Sequence, residues 1–74
     1  MATVELMGIL REHAKAGPEQ LGPAEGKTVA DVIQALGLPA DLVAFVMVNG
    51  RQRPKTYVIQ SEDHVILIPL IGGG

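Results

Sequence analysis

Val29, Val32, Ile33 and Leu36 recur at i, i+3, i+4 and i+7, and they form the one amphipathic helical stripe in the chain. Thr28 stands before the stripe as a helix N-cap. Asp31 falls at the third helical position, and Gly37 ends the run. The remaining apolar residues are spaced for strands. One helix covers one face of a sheet. The chain is therefore restricted to an α+β fold, with a single main helix packed on one side of four or five strands.

The strands follow from period-2 alternation. Residues Thr3–Leu10 read as a strand with Val4, Leu6 and Leu10 on one face and Glu5, Met7 and Ile9 on the other. Residues 11–26 are polar and broken by Gly17, Pro18, Gly22, Pro23 and Gly26, with room for one short edge strand around Pro18–Gly22. Leu42–Val48 is a second strong strand, closed by the hairpin dipeptide Asn49-Gly50. Pro54 makes Arg51–Lys55 an edge or irregular segment. Tyr57-Val58-Ile59 reads as a strand or a helical turn, Ser61–His64 as a turn, and Val65–Leu70 as the last strand.

The alternation leaves apolar residues on both faces of three strands. If Val4, Leu6, Val46, Val48, Val65 and Leu67 face the helix, then Met7, Ile9, Phe45, Met47, Ile66 and Ile68 face away. A half-exposed antiparallel sheet ordinarily alternates apolar with polar. Either residues 11–26 cover this second face, or it is a docking surface. The chain has no second helix to serve as cover, and a contiguous apolar patch on a small protein marks a partner site. Leu70 and Ile71 carry the last strand from this face into Gly72-Gly73-Gly74, a tail without side chains that suits a narrow slot. The expected organisation is a domain over residues 1–71 followed by a flexible tail at 72–74.

Composition removes several alternatives. The 74 residues include no cysteine, so neither a disulfide nor a cysteine-zinc clip staples the fold, and no side-chain thiol does chemistry. The core must come from Val, Ile, Leu and Met, because Phe45 and Tyr57 are the only aromatics. A net charge of −2 argues against a nucleic-acid partner. No apolar run approaches the roughly 18 residues of a membrane span, and the first residues lack a signal-peptide layout, so a cytoplasmic protein is expected. His13 and His64 are far apart and have no cysteine or second histidine beside them, so no metal site is expected. Arg51, Arg53 and Lys55 read as a solvated hairpin flank in preference to a site for an acidic partner. The chain contains no P-loop, dinucleotide fingerprint or catalytic triad, which speaks against an enzyme.

The order of these elements resembles a known family. Thr28-Val29-Ala30-Asp31-Val32-Ile33, Val46-Met47-Val48-Asn49-Gly50, Glu62-Asp63-His64-Val65 and Pro69-Leu70-Ile71-Gly72-Gly73-Gly74 together are similar to the ubiquitin-like sulfur carriers. That family includes the small subunit of molybdopterin synthase and the thiamine-pathway carrier (MoaD and ThiS). The turn Ser61-Glu62-Asp63 replaces the Asp-Gly-Asp usual in the family.

The resemblance implies a β-grasp, ubiquitin-like fold. It implies that a partner adenylyltransferase of the ubiquitin-activating type uses ATP to adenylate the Gly74 carboxylate. A sulfide or persulfide donor then leaves a thiocarboxylate, and a synthase subunit accepts the sulfur. By the same resemblance Gly74 and Gly73 are the reacting end, and the protein binds no cofactor of its own. Partner contact then falls on Met7, Ile9, Phe45, Met47, Ile66, Ile68, Leu70 and Ile71, and the chain is a monomer when alone. Arg11-Glu12 and Pro69 lean toward the molybdopterin branch. A ubiquitin-like modifier conjugated through Gly74, and an interaction module without sulfur transfer, remain open beside this reading.

Overall fold

The computed structural model describes residues 1–70. Strand β1 (Thr3–Leu6) is followed by a one-turn helix α1 (Leu10–His13), a 3₁₀ turn at Pro18–Gln20 and the main helix α2 (Val29–Ala35). A second 3₁₀ turn at Ala40–Leu42 leads into β2 (Val43–Val48), β3 (Arg51–Gln52) and β4 (His64–Pro69). The sheet order is β1-β4-β2-β3, with β1 parallel to β4 and the other pairs antiparallel. One helix across a mixed four-stranded sheet, in which the first and last strands run parallel side by side, is the β-grasp fold.

Helix α2 is bounded by its sequence signals. Thr28 Oγ1 accepts the Asp31 N–H at 3.1 Å while Asp31 Oδ2 accepts the Thr28 N–H at 3.2 Å, a reciprocal capping box. Gly37 takes a φ of +75°. Its N–H reaches Gln34 O, and the Leu38 N–H reaches Ile33 O, which satisfies the last carbonyls. The stripe Val29, Val32, Ile33 and Leu36 is fully buried against Leu6, Val46, Val48, Val65 and Leu67, with Leu10 and Ile59 closing the ends of the core. Asn49 (φ +53°) and Gly50 (φ +82°) provide the two left-handed residues of the tight hairpin between β2 and β3.

Two expected strands come out differently. The first strand stops at Leu6, well short of Leu10: Gly8 and Ile9 form a turn, Gly8 has a φ of +54°, and Ile9 is also the N-cap of α1. The cause lies in β4. Met7 N–H donates to Leu67 O at 3.1 Å, but the next donor that β4 would offer to β1 belongs to Pro69, which has none. The Met7 carbonyl turns away and accepts the Leu10 N–H instead, at 3.2 Å. Ile9 therefore does not lie on a strand face, and Leu10 enters the core from a helix.

The edge strand expected around Pro18–Gly22 is a 3₁₀ turn. Pro18 fits its first position, and the Gly17 N–H is held by Gln20 Oε1 at 2.9 Å. Residues Tyr57-Val58-Ile59 stay outside the sheet and pair with the entry to α2 through a single Thr28–Val58 bridge and an Ile59 N–H to Lys27 O bond.

One buried carboxylate locks the end of the sheet farthest from the C-terminus. Asp63 accepts from the Gln60 N–H at 2.8 Å, the Tyr57 hydroxyl at 2.7 Å and Asn49 Nδ2 at 2.8 Å. Its own carbonyl accepts the Thr3 N–H. The Gln60 amide, then the Tyr57 hydroxyl, hold the carboxyl below the usual aspartate range, and the same contact raises Tyr57 above the usual tyrosine range. Glu62, beside it, takes a φ of +71° without a glycine's freedom.

Candidate docking face and tail root

The face of the sheet turned away from α2 is a grid set by strand register. The middle row reads Glu5, Ile66, Met47 and Gln52 across β1, β4, β2 and β3. The row nearer the C-terminus pairs Ile68 with Phe45, and Met7 follows one residue beyond the Leu6–Leu67 pair. The row at the opposite end pairs Thr3 with His64. Phe45 is 50% exposed and Met7 is 42% exposed, while Met47, Ile66 and Ile68 are half-buried among one another.

Residues 11–20 do not cover this face. They run beside the free edge of β1 and bound a groove of about 400 Å³ with Val4, Glu5 and Leu6. Arg11 Nε closes one end by donating to Leu6 O at 3.0 Å. The structure thus brings together Phe45, Met47, Ile66 and Ile68, with Met7 at their border. Ile9, exposed at the start of α1, stands off the strands.

The root of the tail is fixed from one side. Pairing between β2 and β4 slips by one residue between Phe45 and Val43, so Ala44 is the extra residue of a bulge. Beyond it the Leu70 N–H donates to Leu42 O at 2.8 Å. Leu70 itself is 57% exposed. The expected contact at Ile71 and the reacting glycines Gly73 and Gly74 lie outside the described residues, as does Gly72.

Several sequence candidates have local roles. The basic trio does not act as one patch. Arg53 stacks over the Tyr57 ring at 5.6 Å, and Lys55 Nζ donates to Ala40 O at 2.7 Å. His13 Nδ1 lies 3.0 Å from Ile9 O within α1. Among the described residues no group of three or more His, Cys, Asp or Glu side chains is placed to hold a metal ion. No helix there is long and apolar enough to cross a membrane.

Two features of the site gave no direct sequence signal. Leu42 acts through a backbone carbonyl, which any residue supplies. The polar corner of Thr3, Glu5 and His64 follows from strand alternation, but its connection needs the β1–β4 register, which joins residues about sixty positions apart in sequence. There Thr3 Oγ1 lies 2.7 Å from His64 Nδ1, and His64 Nε2 lies 3.5 Å from Glu5 Oε1.

Comparison with known proteins gives one match. The sequence model of the ThiS family matches residues 4–74. No curated protein and no solved structure matches the chain.

Proposed function

The chain belongs to the ThiS family, whose members are small sulfur carriers, and on that premise we propose that it carries sulfur as a thiocarboxylate on Gly74. A carboxylate is a poor acyl donor because its leaving group would be oxide. Attack of the carboxylate on ATP releases pyrophosphate and forms an acyl adenylate with a good leaving group. Hydrosulfide then forms the C–S bond as the C–O bond to AMP breaks, leaving the thiocarboxylate, AMP and a proton. Every catalytic group for these steps sits on the adenylyltransferase. The carrier supplies reach, a narrow end and a docking surface.

The observation that carries this reading is the uncovered apolar face, centred on Phe45 and continuous with the strand that leads to the tail. A partner seated on Phe45 and Met47 holds β4 and so aims the tail. Residues 70–74, fully extended, span about 17 Å, which reaches a recessed nucleotide site from a docked body. For the acceptor, Arg11-Glu12 and Pro69 favour the molybdopterin synthase branch over the thiamine branch. Conjugation to lysines uses the same activated carbonyl with a different nucleophile.

The test is direct. Deleting Gly74, or replacing Gly73→Val, leaves the fold intact and abolishes ATP–pyrophosphate exchange by the cognate adenylyltransferase. The protein isolated from its host carries a species heavier by about 16 Da that thiol alkylation distinguishes from methionine oxidation. Normal AMP formation by the Gly74 deletion would sink the mechanism.

A further inference from the structure

Glu5 is out of place on the outer face. It stands beside Ile66 in the β1–β4 register and two residues before Met7, which follows directly on the end of its strand. Adjacent strands lie about 4.8 Å apart. A surface that closes over Ile66, Met47 and Met7 therefore reaches the Glu5 carboxylate as well.

Among the described residues the chain sets no lysine or arginine within ion-pair distance of that carboxylate, although Arg11 and Lys15 line the same groove. Its one ionisable neighbour among the described salt bridges is His64, whose Nε2 is 3.5 Å from Oε1, too long for a good hydrogen bond. The imidazole is already engaged at its other nitrogen by Thr3 Oγ1 at 2.7 Å. The Glu5 side chain remains 45% exposed and so relies on water for much of its solvation. Removing that water without supplying a donor is costly for a carboxylate.

From this we infer that the partner surface that fits this face is apolar over Met47 and Ile66 and presents an arginine or lysine opposite Glu5. The inference rests on the docking reading above and specifies the chemistry of its occupant. Glu5 then acts as a specificity residue: it costs binding to any apolar surface without a cation and selects the one that carries it. A bidentate arginine fits best, because the carboxylate offers both oxygens apart from the loose histidine contact.

The experiment measures binding of the full chain to the purified ubiquitin-activating-type adenylyltransferase of the same organism, by calorimetry over a range of salt. Glu5→Gln and Phe45→Ala are measured in parallel, each with its melting temperature. The expected result is a loss of about tenfold with Glu5→Gln and a shallower salt dependence, beside a loss with Phe45→Ala. Glu5→Lys loses more, and is rescued by an arginine or lysine to glutamate change on the partner. If Phe45→Ala weakens binding while Glu5→Gln leaves it unchanged or tighter, the cation is absent: this inference is overturned and the docking reading stands. If Phe45→Ala binds normally, the docking reading fails and takes the inference with it.

Discussion

Phe45→Ala separates docking from folding, because half of the side chain is already in water. A phenylalanine side chain buries about 200 Å² when fully covered. At 50% exposure, about 100 Å² remains for a partner to cover. At about 25 cal/mol per Å² that is ~2.5 kcal/mol, or roughly sixtyfold in Kd. The figure is an upper bound, since association also orders side chains and removes water from polar groups. Val58 is the control: it is 44% exposed but lies outside the sheet, bridged to Thr28, so Val58→Ala leaves affinity unchanged. Calorimetric titration into the cognate adenylyltransferase reads both, after circular dichroism shows each variant folded at the assay temperature. A Kd for Phe45→Ala within threefold of the parent would refute the argument that this face docks.

Acid should unfold the protein partly through Asp63. Its carboxyl is held below the usual aspartate range by Gln60 N–H, Tyr57 and Asn49, so it contributes stability above the ordinary aspartate pKa that is lost as pH falls through the lowered one. Tyr57 is raised by the same contact, so its contribution is present below the ordinary tyrosine pKa and is lost as pH rises through the raised one. Melting temperature against pH should therefore fall on both limbs, and Asp63→Asn should lower the plateau and flatten both; unaltered limbs in that variant would assign the titration elsewhere. Glu62→Gly should stabilise the fold by about 0.5–1 kcal/mol, because a φ of +71° strains a side chain but not a glycine. The exposed contact of Glu62 with the Met1 amine offsets little of this. A lower melting temperature for Glu62→Gly would show that the turn is not strained.

Local signals were legible where local bonds decide the outcome. The capping box at Thr28 and Asp31, the Gly37 stop and the Asn49-Gly50 hairpin are each closed by residues within a few positions. The inward set Val46, Val48, Val65 and Leu67 and the outward set Phe45, Met47, Ile66 and Ile68 also follow from alternation alone. The segment Pro18–Gly22 departs from an edge strand for a local reason too: Gly17 and Gln20 satisfy each other's polar groups and hold a 3₁₀ turn. The left-handed Glu62 has no local signal of its own; only the resemblance, with its Asp-Gly-Asp turn, places a glycine at that position.

The end of β1 could not be seen in β1 itself. Met7 and Ile9 continue its alternation, and nothing in residues 3–10 other than Gly8 argues for a stop. The decision is made by Pro69, which withholds a donor from the neighbouring strand and sends residues 7–9 into a turn. The same proline frees the end of β4. Past it, the described strand is bonded on the β2 side alone, through Leu70 N–H and Leu42 O, after the one-residue slip at Ala44. Leu70 is thus rooted on β2, the strand that also displays Phe45 and Met47. On the docking reading proposed above, a partner that grips Phe45 and Met47 therefore also holds the strand to which Leu70 is bonded.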